Sequence, residues 1–317
     1  NDDESTILDG VSQNTHVMLS VAQGITIAET DGVTAEPLLN TTGDAYSKLN
    51  YNEAATTAKE SGDTDGPFAL AAWARNESAG SEVIWVGCPN VDSEQVYQSI
   101  PGNLTFLQSC AAALVGQSML IDTKALEAAP ITVAASTSMA SDYYTTGSAN
   151  VTFAGEKQIS SAIYKLTSGA ESHAFYTTNH GEQAPTSSLT EALEAQNIDL
   201  QPLNLLTGTI PEDCGLLIIN APASDFASDG LVDEIAQLQA YLENGGKVLL
   251  MTSAFVDTPN LDAVMAQFGL AREPGIVVEG DAGHALYGYP YSLFPDHASN
   301  DDESTILDGV SQNTHVM

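Results

Sequence analysis

Positive charge is scarce in this sequence: Lys and Arg number 8 against 42 Asp and Glu, for a formal net charge of −34. So anionic a chain repels phosphate backbones and acidic lipid headgroups, which excludes nucleic acid as a partner. The same acidity serves solubility in a salty or extracellular medium, and it also suits divalent cations. Cysteine is scarce too. Cys88, Cys110 and Cys214 form no CxxC pair and are too few for a disulfide framework, so at least one thiol is unpaired. Apolar burial is the default for such thiols. Long apolar runs are missing: the most apolar window, Leu104 to Ile121, is broken by Gln108, Ser109, Gln117 and Ser118. It predicts a buried helix, not a membrane span. Asn1 to Ser5 is acidic and polar where a secretory signal would open with basic residues.

What is present suffices for a large core. The chain has 317 residues, 43% of them hydrophobic and 16% charged, a globular composition. The eighteen residues NDDESTILDGVSQNTHVM stand at Asn1–Met18 and return unchanged at Asn300–Met317. A structural repeat would drift in sequence and recur at a short period. The duplication reads as a ring cut open with overlap, a circular permutation in which residues 140–299 form the first half and 19–136 the second half of one α/β domain spanning 1–317. Ala135 to Ala140, small and polar, reads as a joining linker. Only one copy can fill the native position, and an exchange of copies between molecules admits a domain-swapped dimer.

Along the chain, His173–Thr177, Ile198–Leu206, Gly215–Asn220 and Lys247–Met251 read as strands, with helices at Ser188–Gln196 and Asp229–Glu243 between them. The apolar runs GLLIIN and KVLLM suit parallel strands covered on both faces. Asn244, Gly245 and Gly246 stop the second helix. A further helix is expected over Asn260–Phe268 and a strand over Gly275–Glu279. Gly24–Glu29, Ala35–Leu39, Phe68–Arg75 and Glu82–Gly87 read as strands, and Asn103–Val115 as a helix. Val83–Val86 has fewer alternating polar residues than Ile25–Ala28 and is expected to be the more central. The acidic loop Asn52–Gly66 is expected to be mobile. The alternation predicts a mostly parallel sheet with helices on both faces.

In restored order the chain resembles the extracytoplasmic domain of auxiliary proteins of gliding-motility-type ABC transport systems (GldG-like). The residues that carry the likeness are Gly155-Glu156-Lys157-Gln158 leading into a helix Ile159–Leu166, the turn Thr178-Asn179-His180-Gly181-Glu182, the GGK segment ending in Lys247, the stretch Tyr287–Pro290, and Gly66-Pro67-Phe68-Ala69-Leu70. The resemblance implies a flavodoxin-like sheet of the class I glutamine amidotransferase type, circularly permuted here, with no catalytic role and no cofactor. It implies membrane subunits of an ABC transporter as partners and a place on the extracytoplasmic face of a bacterial membrane. The amidotransferase pattern would put a nucleophilic Cys on the turn after a central strand. Here Thr252, Ser253 and Ala254 follow the GGK strand, and the nucleophile is missing.

The candidate ligand residues are His180, Gly181, Glu182, Ser253, Asp281, His284 and Tyr287. His180 and Glu182 lie just past a strand's carboxyl end, where open α/β sheets present their ligand crevice. They would bind a small polar ligand, or a metal if Asp281 or His284 supplied a third group. The plainer reading is a polar turn in which Gly181 takes a positive φ. An alternative function, a hydrolase or amidotransferase-like enzyme, would also use His180 and Glu182. Ser253 lacks the Gly-x-Ser-x-Gly elbow. Asp63, Asp65 and Gly66 echo half a calcium loop, but Ala72 stands where its closing Glu belongs. Tyr287, Tyr289, Tyr291 and Phe294, with Pro290 and Pro295, form an aromatic cluster that is either a satellite core or a partner surface.

Overall fold

The loop between the strands Ala69–Asn76 and Glu82–Val86 has only five residues, and that length decides the architecture. A parallel connection needs a crossover of about a dozen residues or more. These two strands therefore run antiparallel, pairing Ala71 with Val86 and Arg75 with Glu82. In the computed structural model, which describes residues 16–53, 56–116, 137–140, 150–153, 172–229 and 231–298, a ten-stranded mixed sheet forms the centre. Its strands in chain order are β1 (Ile25–Ile27), β2 (Val33–Asn40), β3 (Ala69–Asn76), β4 (Glu82–Val86), β5 (Ser172–Thr177), β6 (Ile198–Leu203), β7 (Cys214–Asn220), β8 (Lys247–Met251), β9 (Leu270–Arg272) and β10 (Asp296–His297).

Five neighbours, in the order β6-β5-β7-β8-β4, are parallel. From β4 onward every pairing is antiparallel: β3 on β4, β2 and β1 on β3, β9 on β1, and β10 on β2. The expectation of a mostly parallel sheet with helices on both faces is thus corrected. The sheet is mixed, because the short β3–β4 connection reverses the strands beyond β4, and the expected flavodoxin-like sheet of the amidotransferase type is corrected with it. The helices are α1 (Glu94–Tyr97), α2 (Gly102–Leu114), α3 (Ser187–Ala195), α4 (Glu234–Glu243) and α5 (Pro259–Ala266). Phe106, Leu107 and Cys110 of α2 and Leu189 and Leu193 of α3 share one apolar cluster. Leu238 and Leu242 of α4 and Leu261, Val264 and Met265 of α5 share the cluster on the other face.

Both stretches of the chain build this sheet, since β4 and β8 pair from Glu82↔Lys247 to Met251↔Val86. The more central placement of Val83–Val86 has a visible cause: β4 is paired on both sides and its Val83, Ile84, Trp85 and Val86 are fully buried. Burying four such side chains stabilises the fold by roughly 1.5–3 kcal/mol each. Tyr241 explains the GGK segment, because its ring lies 2.5 Å from where a Cβ on Gly246 would stand. Its hydroxyl accepts from Lys247 N–H at 3.0 Å.

Two small sheets flank the antiparallel half. One joins Leu19–Ser20, Tyr289–Leu293 and Ala285–Leu286; the other joins Ile276–Val278, Tyr46–Lys48 and Thr64–Asp65. The acidic loop expected to be mobile is anchored from within. Lys48, fully buried, donates to the Ala58 carbonyl at 2.7 Å and lies 3.7 Å from Asp63, whose carboxylate also accepts from Leu49 and Glu60 N–H. That carboxylate faces an internal ammonium and two backbone N–H groups. Thr137–Ala140, expected as linker, pairs antiparallel with Asn150–Phe153. The Gly155–Gln158 motif, the helix Ile159–Leu166, and both copies of the duplicated segment apart from His16–Met18 lie outside the described residues. Val17 is buried, and Met18 is clasped through both its N–H and its carbonyl by the Asn103 side chain at 2.8 Å.

Candidate functional site

β5 ends at Thr177 and β7 at Asn220, and the loop after β5 folds back over both strand ends. Gly181 has φ +74, and a Cβ there would lie 2.8 Å from that of Ala223, so only glycine fits this turn. His180 fixes the loop, its carbonyl accepting the N–H groups of Ala223 at 2.8 Å and Ser224 at 3.1 Å. Its ring stacks on Phe226, with centroids 4.1 Å apart and planes 14° apart.

The imidazole sits between two carboxylates. Nε2 shares a hydrogen bond with Glu234 Oε2 at 2.9 Å, and Nδ1 lies 3.4 Å from Glu182 Oε1. Both carboxylates are almost wholly enclosed, Glu182 at 2% and Glu234 at 0% side-chain exposure. Glu182 Oε2 accepts the His180 N–H at 2.6 Å, and Glu234 Oε2 accepts that of Ala227 at 3.0 Å. His180 Nδ1, Glu182 Oε1, Glu234 Oε1, Asn220 Oδ1 and Thr177 Oγ1 are buried without a hydrogen-bond partner among the described residues. Orphaned polar atoms of this kind carry a desolvation cost and mark the carboxyl edge as the polar end of the core.

Beside this cluster, Asp92 follows β4 and joins Tyr97, Asn220 and the N-cap Thr186 of α3. Burial raises the Asp92 carboxyl above its ordinary range, while hydrogen bonds from Thr186 and Tyr97 pull the other way. Sequence reasoning missed both Asp92 and Glu234. Glu234 directly follows Asp233, the N-cap of α4 that accepts Ala236 N–H at 2.8 Å, and an acid in a helix's first turn carries no signal of its own.

The other candidate residues are not gathered here. His284 has its own two carboxylates, with Nδ1 2.9 Å from Asp281 and Nε2 3.3 Å from Asp296. Among the described residues, no three His, Cys, Asp or Glu groups are placed to hold a metal ion. Ser253 spends its hydroxyl on Phe255 N–H at 3.2 Å and its carbonyl on Arg272 at 3.1 Å. The preceding Thr252 accepts from the Trp85 indole at 2.9 Å. The cysteines offer no nucleophile, being buried and free, and burial pushes the Cys88 thiol up to about 11. Two surface depressions, of about 280 and 540 Å³, open at the opposite, amino end of the strands, beside Ser81 and Gly246 respectively.

Tyr287 stands at the tip of the hairpin Ala285–Leu293, turned by Gly288 at φ +78. It is 98% exposed, and Tyr289 beside it 65%. Tyr291 and Phe294 are only partly covered, so the outer half of the aromatic cluster is surface. None of the described helices is long and apolar enough to cross a membrane.

No family model and no curated protein matches the chain. Among solved structures it is similar to the IMPa metallopeptidase from Pseudomonas aeruginosa, at a TM-score of 0.37 and 12% identity over 85% of this chain. The same protein in complex with T-antigen gives 0.37 and 13%, and in complex with an O-glycopeptide 0.36 and 13%. The chain spans 22% of the length of each of these structures.

Proposed function

We propose that this chain is a non-catalytic binding or scaffolding domain that meets a partner protein through the tip of the Ala285–Leu293 hairpin. One contrast carries the reading. The residue best suited to chemistry, His180, is 8% exposed with its ring nitrogens facing two carboxylates, whereas Tyr287 projects almost wholly into solvent beside Leu286 and Tyr289. Contiguous exposed apolar groups on an acidic surface are expensive to keep unless something covers them. Tyrosine is among the residues that dominate interface energies. The absence of a nucleophile at Thr252 and Ser253, both already engaged, argues against acyl transfer.

The finer setting, an extracytoplasmic face beside membrane subunits of an ABC transporter, follows from the resemblance carried by Thr178–Glu182, the GGK segment and Tyr287–Pro290. A photo-crosslinking amino acid placed at position 287, and separately at exposed Leu231, tests both levels in membranes of the native host. Crosslinking from 287 alone to a transporter membrane subunit is the expected result. Hydrolysis of an ester, amide or glycoside by the purified protein, abolished by His180→Ala, would sink the non-catalytic reading.

A further inference from the structure

The loop after β8 is built to hold an aromatic ring in water. Arg272 Nη1 donates to the Ser253 carbonyl at 3.1 Å and the Val256 carbonyl at 3.3 Å, Nη2 donates to the Thr258 hydroxyl, and Nε binds Asp262 at 2.8 Å. Its guanidinium also lies 5.6 Å from the centroid of the buried Trp85 ring. From the other side the Tyr51 hydroxyl donates to the Ala254 carbonyl at 3.1 Å. With its backbone so tied, the loop keeps Phe255 58% exposed and edge-to-face with Tyr51, ring centroids 5.6 Å apart. Leu49, close to Tyr51 in the chain, is 46% exposed and widens the apolar surface. An anchor that is already rigid loses little entropy on binding.

Charge identifies the occupant. Exposed Glu53 and Asp257 follow Tyr51 and Phe255 at a spacing of two residues. The nearby cations are spoken for: Lys48 is buried, Lys59 pairs with Asp65, and Arg272 faces Asp262 with 13% side-chain exposure. Aromatic faces attract guanidinium and ammonium groups, and surrounding carboxylates steer them in. A second copy of the chain, itself at −34, is repelled, as are anionic lipids.

We propose that Tyr51 and Phe255 form a docking platform for a cationic segment of a partner protein, one that sets an arginine or lysine beside an apolar side chain. The test titrates a blocked hexapeptide of alternating arginine and leucine into the full chain by calorimetry, at roughly physiological ionic strength. Saturable binding is expected, weakened at least about tenfold by Phe255→Ala and left intact by Leu231→Ala. The same peptide with glutamine for arginine should bind at least about tenfold more weakly. Circular dichroism confirms that each variant folds, and Phe255→Leu, which keeps the apolar surface but not the ring, provides a second reading. Equal affinity in Phe255→Ala would mean that general acidity alone attracts the peptide and would overturn the proposal, as would absence of saturable binding.

Discussion

Asp92 grips Thr186 twice, taking its backbone N–H at 3.1 Å and its hydroxyl at 2.6 Å. The pair fastens the start of α3 to the end of β4, joining two parts of the chain that are distant in sequence. Burial raises the Asp92 carboxyl, so the folded state holds this proton more tightly than the unfolded chain does. Its contribution to stability therefore declines as pH rises from about 4, the ordinary carboxylate value, through the raised value, and is level above it. A carboxamide in place of this carboxyl could accept from Thr186 N–H with its oxygen and donate to the two hydroxyls with its amide. Asp92→Asn is expected to fold and to remove this part of the slope, read as the difference between the two proteins' urea midpoints across about pH 4 to 7.

His180→Ala would leave Glu182 and Glu234 buried with no ring between them. Removing one partner so that buried polar groups are left unsatisfied costs about 1–3 kcal/mol. Urea unfolding of the variant should show a loss of that size. A loss below about 1 kcal/mol would mean that the pocket opens to water, contrary to its burial here.

Thr252→Val keeps the shape of a fully buried side chain but leaves the Trp85 indole N–H without its acceptor. The expected cost is about 1–3 kcal/mol in unfolding free energy, with Thr252→Ser restoring most of it.

All three thiols should resist alkylation in the native state and react fully in denaturant. Cys88 and Cys110 have no exposed surface and Cys214 only 8%, and burial raises all three thiols, Cys88 to about 11. A thiol count by colour reagent, with and without guanidinium, checks this. Fast labelling of one native thiol would contradict the burial.

The parallel half was legible because its central strands β7 and β8 are nearly unbroken apolar runs and its helices carry clear punctuation, such as the glycines that end α4. Strand direction in the other half was not. Val33–Asn40 and Ala69–Asn76 show the same residue types whichever way they pair, and the deciding datum was the short connection before Glu82. The His180 turn was found from its position after a strand, together with Gly181. Its principal partner Glu234 comes from 54 residues further along the chain, a distance at which side-chain type alone gives no signal. Asp281 and His284, offered as a conditional third metal ligand, and Ser253 do not join His180, because other partners hold them: Asp281 and Asp296 flank His284, and Ser253 meets Phe255 and Arg272.

The seam between β4 and β8 has a consequence for the newborn chain. Glu82 meets Lys247 across 165 residues of sequence. For a chain synthesised in the order of this sequence, at about 5–20 residues per second, β4 leaves the ribosome roughly ten to thirty seconds before its parallel neighbour exists, whereas in the restored order β8 comes first. During that interval Val83–Val86 presents a bare apolar edge of the kind that recruits other strands. Shielding of that edge by chaperones in this window would then help the protein reach its native form.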